Sequence, residues 1–258
     1  MYKWHGRVGL VTGASSPVGM AICKDLVEHG MTICALARRK GVTKLEGLKR
    51  IMFGVKGKLL PLECDIKDES QIQAVFRWIG EKYDGIDLLI NNANVMTKGL
   101  ILDDNNTDEL QHIMETNILG LCIITREAVK LMKQRSVERK DVGHIVNINS
   151  IFGHKVTATV PGTKPMNGMY PASKYAATAI TECVRQELLF LNETVKITAI
   201  CPGLVESDIV QSNANDEIVS IMPALAPKDV AAAIIYAISV KENVQIHEIV
   251  IKPVGEFL

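Results

Sequence analysis

Seven short runs rich in apolar and β-branched residues recur along the chain, and a longer stretch of helical periodicity separates each from the next. This alternation limits the fold more than any other feature. The runs are 8–12, 32–37, 59–65, 88–91, 144–148, 195–200 and 248–251, and the helical stretches are 18–29, 41–53, 69–83, 107–135, 171–191 and 228–239. LLIN and HIVNI are apolar on both alternating faces, as strands are when helices cover both sides of a sheet. Strands separated by helices imply right-handed crossovers. The predicted fold is therefore α/β, a single-domain Rossmann-type doubly wound sheet of about seven parallel strands. The chain has 258 residues and is 47% hydrophobic, enough for one domain over 1–258 to bury its own core.

Charge narrows the partners. Lysine plus arginine and aspartate plus glutamate both number 29, so there is no basic footprint for a nucleic acid. The basic stretch 130–140 contains Glu138 and reads as the solvated end of a helix. The six cysteines, at 23, 34, 64, 122, 183 and 201, show no CxxC or zinc spacing. Most lie in apolar runs, as small buried hydrophobes of a reducing compartment do. MYKWHGRV lacks the apolar core of a signal peptide, and no stretch is long and apolar enough for a membrane span. The cytoplasm is the expected location.

The first run ends in a glycine-bearing turn, TGASSPVG at 12–19. In a doubly wound sheet, ligands lie beyond the carboxyl ends of the strands at the switch point. Gly13 permits the tight turn, Gly19 lets the next helix approach the sheet, and the helix N-terminus offers N–H groups to a pyrophosphate. The second run ends in Ala37-Arg38-Arg39, where an NAD-selective site carries an acid. A guanidinium suits the 2′-phosphate of NADP. The alternative is two exposed arginines opening a helix. Asp65 either accepts from an adenine amino group or caps a turn.

Tyr170 and Lys174 stand four apart in YPASK, and Ser150 lies twenty positions before Tyr170. If Tyr170 opens a helix, the two share a face. A neighbouring ammonium is then expected to lower the phenol from its ordinary value near 10 toward useful acid–base chemistry. Ser150 is placed to bond a substrate oxygen as charge develops on it. Asn117 is placed to fix a turn, or a water, that relays protons to Lys174. A phenol, an ammonium and a hydroxyl downstream of a nucleotide-binding turn are what hydride transfer between a nicotinamide and a carbonyl requires.

Taken in order, TGASSPVG, CDI, NNA, the Asn117 segment, Ser150, YPASK and PGLVES resemble the short-chain dehydrogenase/reductase family over essentially the whole chain. GHIVNINS, YPASKYAATAITE and IHEIVIKPVGE are similar to the branch of NADP-dependent farnesol dehydrogenases and ketosteroid reductases. The resemblance implies Tyr170 as proton donor, Lys174 on the nicotinamide ribose, Ser150 on the carbonyl and Asn117 in the relay. It implies cofactor contacts at Gly13, Ser15, Ser16, Pro17, Val18, Gly19, Arg38, Arg39, Asp65, Ile66, Asn92, Ala93, Tyr170, Lys174, Pro202, Gly203, Val205 and Ser207. The expected function is NADP(H)-dependent oxidation or reduction of an apolar alcohol or carbonyl. The alternatives are a broad-range carbonyl reductase and a catalytically silent NADP(H) sensor. A homodimer or homotetramer is expected, with no nucleic-acid partner.

Three features depart from the family pattern. Pro17 stands where a middle glycine is usual and is expected to alter the turn without abolishing binding. Asn94 replaces the glycine of NNAG, as the residue that best tolerates positive φ after glycine. The stretch 152–169 lengthens the Ser-to-Tyr gap. Phe152, Val160, Met166 and Met169 make it either an adaptable substrate loop or ordinary packing, with Ser150, Phe152, Met169, Tyr170 and Ile209 as substrate candidates. The stretch 204–222, with Val205, Ile209, Val210 and Met222, is expected to be a lid.

Overall fold

A computed structural model describes residues 1–97, 99–139, 143–158, 161–162, 165, 168–206 and 222–256. The strands are β1 (Val8–Val11), β2 (Thr32–Ala37), β3 (Lys58–Glu63), β4 (Leu88–Asn91), β5 (His144–Ile148), β6 (Lys196–Pro202) and β7 (Glu248–Ile251). They form one sheet in the order β3-β2-β1-β4-β5-β6-β7, every neighbouring pair parallel. The helices are α1 (Pro17–Glu28), α2 (Arg39–Ile51), α3 (Glu69–Tyr83), α4 (Thr107–Met114), α5 (Leu121–Arg139), α6 (Tyr170–Phe190) and α7 (Pro227–Ser239). No helix among the described residues is long and apolar enough to cross a membrane.

Each face of the sheet has its own core. On one, Ile22, Leu26 and Val27 of α1, Leu45 of α2 and Ile234 and Ile238 of α7 meet Val11, Ile33 and Ile90. On the other, Ile72 and Phe76 of α3, Ile124 of α5 and Leu188 of α6 meet Leu10, Leu36, Leu89 and Ile145. Alternate residues of one strand thus serve opposite cores, which is why the strands read as unbroken apolar runs. Fully burying one such side chain is worth about 1.5–3 kcal/mol. Pro61 sits in β3 at the sheet edge, where a missing N–H breaks no ladder.

The chain winds outward from β1 through β2 to β3, then returns to place β4 on the other side of β1. The turn after β1 and the segment after β4 therefore face each other across a crevice. The predicted helix 107–135 is broken by a π turn over Glu115–Gly120. Such turns insert a residue into the helix and often occur at functional sites.

Candidate active site

The turn after β1 is built from its own hydrogen bonds. Ser16 caps α1 by accepting from the Gly19 N–H at 3.0 Å. Pro17 takes the first helical position, where the N–H has no helical partner, so the turn closes without losing a bond. Gly13 has φ +59°, and a Cβ there would lie 2.7 Å from Ala93 Cα. This glycine is demanded both by its backbone and by the close approach of the β4 segment.

Asn92 binds the two sides together, its Nδ2 donating to Thr12 O at 3.0 Å and Gly13 O at 2.9 Å. The Thr12 hydroxyl accepts from the N–H groups of Asn92 and Ala93, both at 3.0 Å. Among the described residues, the N–H groups of Gly13, Ser15 and Val18 make no hydrogen bond. Three open donors at a helix N-terminus suit a diphosphate. The cradle thus fits a dinucleotide: Gly13 to Gly19 would hold its phosphates.

Ser15 packs its side chain against the backbone of Gly41 in α2. Arg39 pairs with Glu63 Oε1 at 3.1 Å, at an exposed position. Arg38 precedes α2, is exposed and has no ion pair among the described residues. The two arginines are therefore not equivalent. Asp65 makes a turn, its Oδ1 accepting from Lys67 N–H at 3.0 Å. Its second carboxylate oxygen has no partner among the described residues. Ile66 is buried, and its carbonyl passes so near Gly120 that a Cβ there would lie 2.9 Å away.

The reacting centre forms where β5 ends and α6 begins. Ser150 is buried, and its Oγ accepts from Phe152 N–H at 3.2 Å. Tyr170 opens α6, and a side-chain hydrogen bond joins its phenol to Ser150. The Lys174 Nζ lies 5.4 Å from the Tyr170 ring centroid and donates to Ile148 O at 3.2 Å. Burial brings Lys174 down from 10.5 to about 8.

The expectation for Tyr170 is overturned in the protein by itself. Burial pushes its phenol above the usual 10, and the opposing influence is the Ser150 hydrogen bond. Desolvating a phenolate is costlier than the gain from an ammonium that lies over the ring face and bonds elsewhere. Tyr170 is therefore a held proton.

Asn117 lies in the π turn and is buried. Its Oδ1 accepts from Val95 N–H at 2.9 Å, and its Nδ2 donates to Val95 O at 2.9 Å and Ser173 Oγ at 3.0 Å. Ser173 in turn donates to Tyr170 O at 2.7 Å. The side chain thus fixes the turn after β4 and ties it to the start of α6, and its Oδ1 keeps one lone pair that a water could use. Asn94 does not have positive φ, so its replacement of the usual glycine needs no left-handed backbone. It donates to Asn92 O at 3.1 Å.

Phe152 meets Tyr170 edge to face, with ring centroids 6.2 Å apart. Met169 is the residue before α6 and accepts from Ser173 N–H through its carbonyl. After β6, Gly203 N–H donates to Ile251 O at 2.7 Å, and Val205 bridges to Leu225. Gly203 also lies against the Glu256 carboxylate, which accepts from Leu204 N–H at 3.2 Å. Pro202 ends β6. Ser207, Ile209 and Val210, like Val160 and Met166, lie outside the described residues, as does most of the proposed lid.

Sequence reasoning passed over Thr12 and Ser173, which link the predicted residues. It also passed over a buried polar ladder. Asn91 Nδ2 donates to Thr125 Oγ1 at 3.0 Å and Asn147 Oδ1 at 2.9 Å, and Asn147 Nδ2 donates to Thr181 Oγ1 at 2.9 Å. Asparagines inside the apolar runs LLIN and HIVNI were the available signal, because buried amides require partners.

The sequence profile described as short chain dehydrogenase matches residues 7–218. Farnesol dehydrogenase of Aedes aegypti is 40% identical over 257 residues, covering 99% of each chain. Human dehydrogenase/reductase SDR family member 11 is 36% identical over 262 residues, covering 98% of this chain and 96% of its own. The crystal structure of a short-chain type dehydrogenase/reductase from Mycobacterium marinum superposes with a TM-score of 0.83 at 23% identity, covering 96% of this chain and 95% of that one.

Proposed function

The chain belongs to the short-chain dehydrogenase family, and from that premise we propose that it is an NADP(H)-dependent oxidoreductase interconverting an apolar alcohol and its carbonyl. The favoured substrates are a farnesol-like prenol, a sterol or a related lipid. The carrying observation is the buried corner where Ser150 bonds the Tyr170 phenol with Lys174 beneath it. The whole chain acts as one dinucleotide-binding and catalytic domain.

NADP(H), when bound, supplies or accepts the hydride. Tyr170 holds the proton and donates it to the oxygen that becomes the alcohol. Because burial keeps the phenol protonated, the resting side chain serves reduction directly. Ser150 bonds the same oxygen and strengthens that contact as negative charge develops. An ammonium has three donors and, among the described residues, Lys174 uses one, on Ile148 O, which leaves two for ribose hydroxyls. Arg38 takes the 2′-phosphate, with Arg39 secondary because Glu63 already engages it. Asp65 offers its open oxygen to the adenine amino group. Pro202, Gly203 and Val205 line the carboxamide side.

Phe152 puts apolar surface beside the phenol, and Met169 directly precedes it in the chain. The likeness to a farnesol dehydrogenase over nearly the full chain favours the same substrate class. Free cysteines, five of them at least partly buried, favour a reducing cytoplasm. Exposed Leu189 and Phe190 at the end of α6 favour a homodimer or homotetramer, to be measured by light scattering.

The test is turnover of farnesol, ketosteroids and small diketones with NADPH and NADH, alongside cofactor fluorescence titration. Preference for NADPH and a long apolar substrate is expected, with Tyr170→Phe losing turnover while still binding cofactor. Equal use of small diketones would replace the substrate reading with a broad-range carbonyl reductase. Cofactor binding without turnover across the panel would replace it with a sensor.

A further inference from the structure

On the α6 face of the sheet, directly against the reacting corner, where Cys201 meets the Ser150 backbone and lies near Lys174, three side chains of different elements converge. Cys201 is on β6, Glu248 opens β7, and His154 follows the short helix Ile151–Gly153. The His154 Nε2 lies 2.8 Å from Glu248 Oε1, and the Cys201 Sγ donates to that same oxygen at 3.0 Å. All three ligand atoms fall within 4.8 Å of one another. The register of β6 on β7, Ala199 opposite Glu248 and Cys201 opposite Val250, puts the thiol and the carboxylate on the same face. Cys201 is buried while His154 and Glu248 remain exposed, so the group has a fixed floor and an open mouth.

We propose that Cys201, His154 and Glu248 form a binding site for a thiophilic divalent cation, Zn2+ being the best match, with water as the fourth ligand. A tetrahedral zinc ion with one sulfur, one nitrogen and one oxygen ligand spaces those atoms about 3.3–3.8 Å apart. The two short contacts must open, and the histidine–sulfur separation must settle into that range. Each is a change of about 1 Å or less, available to exposed His154 and Glu248 side chains by rotation. Thiolate, imidazole and carboxylate together favour zinc over magnesium or calcium, which select oxygen alone. On binding, the thiol proton that now bonds Glu248 leaves to solvent, sulfur coordinates as thiolate, and the imidazole coordinates in its neutral form.

Titrating the full-length protein with Co2+ under reducing conditions tests it, because thiolate ligation gives a near-ultraviolet charge-transfer band. The expected result is one equivalent per chain, displaced by Zn2+. Cys201→Ser keeps a hydrogen-bond donor for Glu248 and should abolish the band. His154→Gln and Glu248→Gln should weaken affinity by about 100-fold or more, beyond the effect of an outer-sphere loss. Exposed Cys183 serves as control, and Cys183→Ser should change nothing. Absence of the band in the wild type, or its persistence in Cys201→Ser, would overturn the site and leave the three residues as a polar tie across β6 and β7.

Discussion

Two lysines are buried at opposite ends of the strands, and they do different work. At the amino end, Lys196 gives its ammonium to Lys241 O at 2.8 Å and Val244 O at 2.7 Å. Lys3, Trp4, Arg7, Asp87, His144 and Glu242 line the same small polar cavity. At the carboxyl end, Lys174 makes one bond among the described residues, at 3.2 Å, to Ile148 O. Burial lowers both. Burial therefore does not distinguish a site from a structural bolt. Donor occupancy does: Lys196 serves two carbonyls that close the fold, whereas Lys174 retains capacity for something that is not protein.

The largest break in this comparison is expected from Lys174→Met. Turnover should fall about 100- to 10,000-fold, the usual range for a lost acid–base partner. The denaturant midpoint should barely move; a fall in stability with retained activity would make Lys174 a bolt as well.

The amino-end cavity also holds His144, which burial, Lys196 and Lys3 together bring from 6.5 to about 3. Its Nε2 lies 2.8 Å from Thr198 Oγ1, whose own proton goes to Ile246 O, so the neutral imidazole is the donor. The unfolded histidine ordinarily binds its proton near pH 6.5, and the folded one resists until far lower. The neutral form's contribution is thus complete above pH 6.5 and is lost as pH falls toward 3, reaching ~5 kcal/mol at the end. Urea unfolding at pH 7 and pH 4.5 should differ by about 3 kcal/mol from this group, and His144→Gln should remove that part of the slope.

Lys196→Met sharpens the contrast from the other side. It strands two carbonyls and should cost about 2–4 kcal/mol in urea unfolding, with kcat per folded molecule unchanged. At the cofactor end, Arg38→Ala should weaken NADPH binding about 10- to 100-fold, the worth of a charged hydrogen bond. Arg39→Ala should change it less than about threefold, because an exposed pair with Glu63 contributes little. Equal losses would show that both arginines reach the phosphate.

Local pattern carried the strands well: 32–37, 88–91, 144–148 and 248–251 lie where periodicity put them. Tyr170 does open its helix. Other features were not readable because they depend on contacts between distant segments. The π turn that breaks 107–135 carries Gly120 but no proline, and Asn117 there bonds Val95 and Ser173, far apart in sequence. Residue type showed that Asn94 could replace a glycine, but only the fold shows that the backbone there has no positive φ.

The residues themselves determined the alternation of strand and helix, the glycine demanded at 13, and the four-residue spacing that puts a phenol and an ammonium on one face. Only the folded arrangement decided protonation and employment. Desolvation holds the Tyr170 proton in place, Glu63 occupies Arg39 while Arg38 stays open, and Lys196 is spent where Lys174 is not. Spacing is a property of neighbours along the chain, whereas solvent exclusion and the number of donors left over are settled by segments dozens of residues away.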